Sequence, residues 1–113
     1  MESPRIEDGV IKWYCGDIFY ISFEVLDDKT GEPLELSQGD AVIIRFYDRQ
    51  GLLVKQFEFV NGKCDDLTCY IDKNTSERFR AGKYTYCIKY HCGDLKTETT
   101  VKALGECEVE RCH

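Results

Sequence analysis

In Asp72-Lys73-Asn74-Thr75-Ser76-Glu77-Arg78-Phe79-Arg80-Ala81-Gly82-Lys83-Tyr84-Thr85-Tyr86-Cys87-Ile88-Lys89-Tyr90 a polar turn separates two strands, and the architecture follows from it. A strand ends at Asp72. A polar crossover of about one helical turn follows, and Ala81-Gly82-Lys83-Tyr84 opens a new strand. In that strand Tyr84, Tyr86, Ile88 and Tyr90 share one face, while Thr85, Cys87 and Lys89 share the other. A short crossover with a tyrosine just inside the next strand carries a chain from one sheet of a sandwich to the other. The tyrosine hydroxyl then bonds back to the corner.

Working outward, the two-residue period persists on both sides. Upstream it predicts strands over 10–15 and 18–27, with Phe19, Ile21, Phe23 and Val25 inward and Tyr20, Ser22 and Glu24 outward. A one-residue slip would bury Glu24, so the register is well specified. The run from Asp27 through Gly31 to Pro33 reads as a turn. Leu34-Glu35-Leu36 leads into a strand over 41–48, with Val42, Ile44 and Phe46 inward and Arg45 and Tyr47 opposite. Asp48-Arg49-Gln50-Gly51 reads as a hairpin turn, 52–60 as the return strand, and Asn61-Gly62 as a further turn. Leu67, Cys69 and Ile71 face inward on the next strand, with Thr68, Tyr70 and Asp72 outward. Downstream, strands over 95–101 and 105–111 close the chain, the latter with Cys107 and Val109 inward against Glu106, Glu108 and Glu110.

Seven to eight short strands with turns at regular spacing predict an all-β, immunoglobulin-like antiparallel β-sandwich with one short helical crossover turn. A length of 113 residues fits one domain, read as 10–113 behind a polar N-terminal segment, 1–9. Hydrophobic residues make up 42% of the chain, enough for a core. The net charge of −6 disfavours the phosphate backbone, so no nucleic-acid partner is expected. The basic cluster from Lys73 to Lys83 is broken by Glu77 and reads as a solvated turn. No apolar run is long enough for a bilayer, and Met1 to Asp8 lacks the apolar core of an export signal, so neither a membrane nor secretion by signal peptide is expected. In that setting the seven cysteines read as reduced thiols.

Tests for chemistry return little. Cys64/Cys69, Cys87/Cys92 and Cys107/Cys112 share a five-residue spacing, which is wider than a zinc knuckle. Along an extended strand it also sends the two thiols to opposite faces. Cys87 and His91 are four residues apart in a strand, about 13 Å and too far for a nucleophile–base pair. Asp27, Asp28, Thr30 and Glu32 lack the ligand order of a calcium loop. No catalytic, metal or cofactor residue is predicted. Trp13, Tyr20, Tyr47 and Tyr70 stand out instead, as aromatics at or beside outward positions, and are the candidate partner surface.

The order of Gly16-Asp17-Ile18-Phe19-Tyr20-Ile21-Ser22-Phe23, the Gly31-Glu32-Pro33-Leu34 turn, Ala41-Val42-Ile43-Ile44-Arg45-Phe46, Asp48-Arg49-Gln50-Gly51, Ile71-Asp72 and Ala81-Gly82-Lys83-Tyr84, closing on Gly105-Glu106-Cys107-Glu108-Val109, resembles a family of small phage and prophage domains. These are the immunoglobulin-like domains at the N-terminus of baseplate upper proteins and related tail proteins. The resemblance implies a non-enzymatic structural or adaptor module, with no catalytic residues to carry over. Its partners would be other tail or baseplate proteins or further copies of itself. It would occupy the bacterial cytoplasm during assembly and the virion afterwards. The alternative is a carbohydrate-binding or adhesion module using the exposed aromatics. A metal- or redox-responsive cysteine protein is a third reading.

Overall fold

The computed structural model describes residues 4–93 and 97–111. Its elements run β1 (Arg5–Glu7), β2 (Val10–Tyr14), β3 (Phe19–Phe23), β4 (Glu35–Tyr47), β5 (Leu53–Lys63), β6 (Leu67–Ile71), α1 (Lys73–Ser76), β7 (Gly82–Cys92) and β8 (Thr97–Glu110). The crossover is the predicted single helical turn. Asp72 starts it by accepting the Thr75 backbone N–H at 2.7 Å, which satisfies a donor that the helix leaves free. Phe79 then drops into the core, its ring 5.6 Å from Tyr84 and 5.8 Å from Trp13. The Tyr84 hydroxyl donates to the Arg80 carbonyl at 2.8 Å. This is the expected corner bond, worth about 1 kcal/mol.

Two sheets result, one in the order β1-β2-β8-β7-β4-β5 and one of β3-β6. Aromatic side chains join them: Phe19 lies 5.8 Å from Phe46, and Phe23 lies 5.6 Å from Tyr86. The alternation places the core as read, with Val42, Ile44 and Phe46 from one sheet and Leu67, Cys69 and Ile71 from the other all buried. Among the described residues the fold is an immunoglobulin-like all-β sandwich of eight strands with one helical crossover turn. Among the described residues no helix is long and apolar enough to cross a membrane.

Four local readings change. The sandwich is not wholly antiparallel, because β2 runs parallel to β8, with Trp13 opposite Val109. Alternation specifies which face a residue takes and says nothing about strand direction. The segment 1–9 contributes β1, which joins β2 through Asp8-Gly9, both at positive φ. That dipeptide is a strong hairpin signal. Arg5 pairs with Glu110 and Lys12 with Glu7, which ties this corner together electrostatically. The two closing strands are one, β8, although Leu95 lies outside the described residues. Finally, Asn61-Gly62 is not a turn between strands. Both residues are left-handed, at φ 64° and 83°, and sit inside β5 opposite a bulge between Leu36 and Ala41 of β4. The true turn is at residues 64–66.

Asp40 organises that bulge. Its buried carboxylate accepts the Gly93 N–H at 3.0 Å, the Ser37 N–H at 3.2 Å and the Tyr90 hydroxyl at 3.2 Å. The Gly93 and Ser37 donors hold the carboxyl below its ordinary value of 3.8. A carboxyl depressed by folding stabilises the native state above its unfolded pKa. That contribution is lost as pH falls through the lower folded value. Thermal melts from pH 6 downward are expected to show acid destabilisation beginning near pH 4, with a shallower dependence in Asp40→Asn. Parallel curves for the two proteins would exclude Asp40 as a source.

Candidate functional site

The four aromatics singled out in the sequence do not form one surface. Tyr20 and Tyr70 do meet. They are direct cross-strand partners on the outer face of the two-stranded sheet, 59% and 51% exposed. Their rings stand edge-to-face with centroids 6.4 Å apart. The next outward pair, Ser22 and Thr68, shares a hydroxyl–hydroxyl bond of 3.0 Å, and Thr68 donates on to Asp66 at 3.0 Å. The Ser22 and then the Thr68 hydroxyl keep the Asp66 carboxyl below its ordinary value. The face thus carries two exposed rings beside a small polar ladder.

Trp13 is removed from the site by the structure. It is fully buried, with Phe19 at 4.6 Å. The reason is strand phase. Ile11 and Trp13 point inward from β2, and Lys12 and Tyr14 point outward. Tyr14 lies beneath the Arg5 guanidinium, 5.3 Å from its ring centroid. Tyr47 is half-buried on the outer side of the other sheet, opposite Thr85 and Leu53. Burial there pushes its phenol above the ordinary value, with Cys87 adding to the shift. Tyr47 and the Tyr20–Tyr70 pair therefore face away from each other across the sandwich.

Unpaired strand edges add to the exposed face. Among the described residues, each strand of the β3-β6 sheet has one neighbour, and β5 is an edge of the larger sheet. Leu52, Leu53, Val54 and Val60, on β5 and its turn, are all exposed. An edge strand presents free N–H and C=O groups and accepts a further strand. The sequence shows where strands lie, but an edge exists only once pairing is known.

The cysteine chemistry is that of packing. The six described cysteines are free thiols. Cys64 and Cys69 are both fully buried, contrary to the opposite-face reading. Cys64 lies in the turn before β6, so strand parity does not connect it to Cys69. Its backbone bonds to Leu34 and Val25 instead. Burial raises the Cys69 and Cys107 thiols to about 12, so both stay protonated and poorly nucleophilic. Native protein treated with a maleimide at pH 7.5 is expected to leave Cys69 and Cys107 unlabelled, and to label both once unfolded. Peptide mass spectrometry reads the outcome, and rapid native labelling at either position would contradict the burial.

No group of three or more His, Cys, Asp or Glu side chains placed to hold a metal ion is found among the described residues. Cys112 and His113 lie outside them. The Asp27–Glu32 turn spends polar groups on its own backbone: Asp27 Oδ1 accepts the Lys29 N–H at 2.8 Å, and Thr30 Oγ1 accepts the Glu32 N–H at 3.2 Å. Against known proteins, no family model matches the chain, and neither a curated protein nor a solved structure gives a match.

Proposed function

We propose that this domain is a non-catalytic structural or adaptor module of a phage or prophage tail or baseplate, acting by docking to another protein. The carrying observation is the exposed Tyr20–Tyr70 pair on a sheet that has, among the described residues, two strands, both with open edges. Tyrosine supplies large contact area at low entropic cost and is enriched at protein interfaces. The edge-to-face geometry, with ring planes at 76°, presents no flat two-ring platform for a sugar face. That favours protein docking over carbohydrate binding.

The test is a Tyr20→Ser/Tyr70→Ser chain supplied in place of the native one during prophage induction. Its copy number in purified particles is then measured by mass spectrometry. The expected outcome is loss of the chain from particles, with a thermal midpoint close to that of the native domain. Normal incorporation would remove the tyrosine face from the proposal. Retained binding of the native chain to a glycan panel, with no incorporation into particles, would transfer the reading to carbohydrate recognition.

A further inference from the structure

A second surface stands apart from the tyrosine face and does not depend on its reading. Where the 48–51 hairpin meets the crossover, Arg49, Arg78, Arg80 and Lys83 line one open cleft. All four are exposed, and among the described residues none of them forms an ion pair. Arg78 does feel the Asp72 carboxylate nearby. The one acid in the cleft, Asp48, uses its Oδ1 to accept the Gln50 and Leu52 N–H groups at 2.9 and 3.0 Å. Four cations against one lining acid make the cleft basic in a chain of net charge −6, although Asp72 lies near Arg78 and Glu108 is the cross-strand partner of Lys83.

The complementary surface is on the same molecule, at the other end. β4 spans 13 residues, about 40 Å, from the acidic end at Glu35 to the cleft end at Tyr47. Beyond Glu35 lies a narrow, exposed hairpin, closed by the Leu26–Pro33 bridge and the Asp27 N–H to Glu32 carbonyl bond of 2.8 Å. Its tip exposes Asp28 and Glu32, and Glu24, Asp65 and Asp66 surround its base, all exposed. Among the described residues, Lys29 and Lys63 are the bases on these segments. The molecule is 47 Å long, several times the Debye length of about 8 Å in physiological salt. Each end therefore acts on a partner by its own charge, and the net repulsion between copies is screened.

We propose that the cleft of Arg49, Arg78, Arg80 and Lys83 receives the acidic 26–33 hairpin of a second copy of this chain, giving head-to-tail association. The hairpin is narrow, exposed and acidic, and the cleft is open and basic, so their charges agree. Because donor and acceptor surfaces differ, the contact is heterologous and leaves a free cleft and a free hairpin at the two ends of any chain of subunits. Association of this kind is steered by charge and weakens with salt.

Sedimentation velocity on the full chain, kept reduced, tests it. At ~50 mM salt the native protein is expected to show concentration-dependent association that is at least about tenfold weaker at ~500 mM. Arg49→Glu/Arg80→Glu and Asp28→Lys/Glu32→Lys are each expected to remain monomeric, with native thermal midpoints. An equimolar mixture of the two is expected to associate again, because each supplies the end that the other has reversed. If either variant fails to fold, Arg78→Glu/Lys83→Glu or Glu24→Lys/Asp65→Lys takes its place. A native protein that stays monomeric at low salt overturns the proposal, as does a mixture that fails to recover. Monomeric native protein that binds a poly-glutamate peptide at the cleft also overturns it and makes a different acidic chain the occupant. None of these outcomes alters the expectation for Tyr20 and Tyr70.

Discussion

Trp13→Ala is expected to destabilise the domain by about 3–5 kcal/mol, the usual cost of emptying a large buried aromatic site. The side chain is fully buried, between Phe19 at 4.6 Å and Phe79 at 5.8 Å. It therefore joins the first strand of the core to both β3 and the crossover. A domain of this size is stable by only about 5–15 kcal/mol, so the substitution removes a large part of the margin. Its indole N–H has no hydrogen-bond partner among the described atoms. Trp13→Phe, which deletes that N–H and keeps an apolar ring, is expected to cost clearly less than alanine. Urea unfolding of the three proteins gives the comparison. An unchanged midpoint in Trp13→Ala would return this residue to the surface, where its sequence neighbours first suggested it belongs.

Gly105→Ala should be costly for the opposite reason, too much volume. Gly105 is the cross-strand partner of Tyr86, and the tyrosine ring lies across the bare glycine. A Cβ at that position would clash with Cε1 and Cζ of Tyr86. The ring has little freedom to retreat, because it already meets Phe46 at 5.7 Å and Phe23 at 5.6 Å. Overpacking of this kind costs about 1–3 kcal/mol, with the upper end expected against a ring held on several sides. Trimming the ring in a Tyr86→Leu background should relieve most of the clash. A double-mutant cycle on unfolding free energy would then show strong favourable coupling between the two substitutions. Strict additivity would mean that Tyr86 does not cover Gly105.

These two positions also mark the boundary of what sequence periodicity discloses. The inward assignments of Val42, Ile44, Phe46, Leu67, Cys69 and Ile71 follow from alternation, and all six are buried. The crossover is equally legible, since an N-capping Asp72 and a tyrosine corner depend on neighbours a few residues away. Trp13 lies beyond the reach of alternation. It sits in a five-residue strand between Lys12 and Tyr14, and an aromatic at each of two successive positions leaves the phase open until a second sheet arrives to cover one side. Asn61-Gly62 illustrates a different limit. Its left-handed pair carries the same local signal whether it reverses a chain or sits in a strand opposite a bulge, and only the partner strand distinguishes the two.

The candidate sites divide in the same way. Tyr20 and Tyr70 are fifty positions apart, yet each is outward by its own strand's alternation. What tertiary structure adds is that β3 and β6 pair in a register that places the rings side by side. Lys73 to Lys83 reads as a solvated turn on its own, and becomes one wall of a basic cleft only when the 48–51 hairpin is folded against it with Arg49.

The all-β class, the faces of most strands, the crossover and its corner are thus legible in the residues, because each rests on contacts within a few positions or on a two-residue period. The parallel β2–β8 pairing, the open edges, the burial of Trp13, the tyrosine pair and the placement of a basic cleft opposite an acidic hairpin emerge only in the folded chain. All of these depend on which strands become neighbours, and that is set by the joint burial of both sheets and not by any one segment.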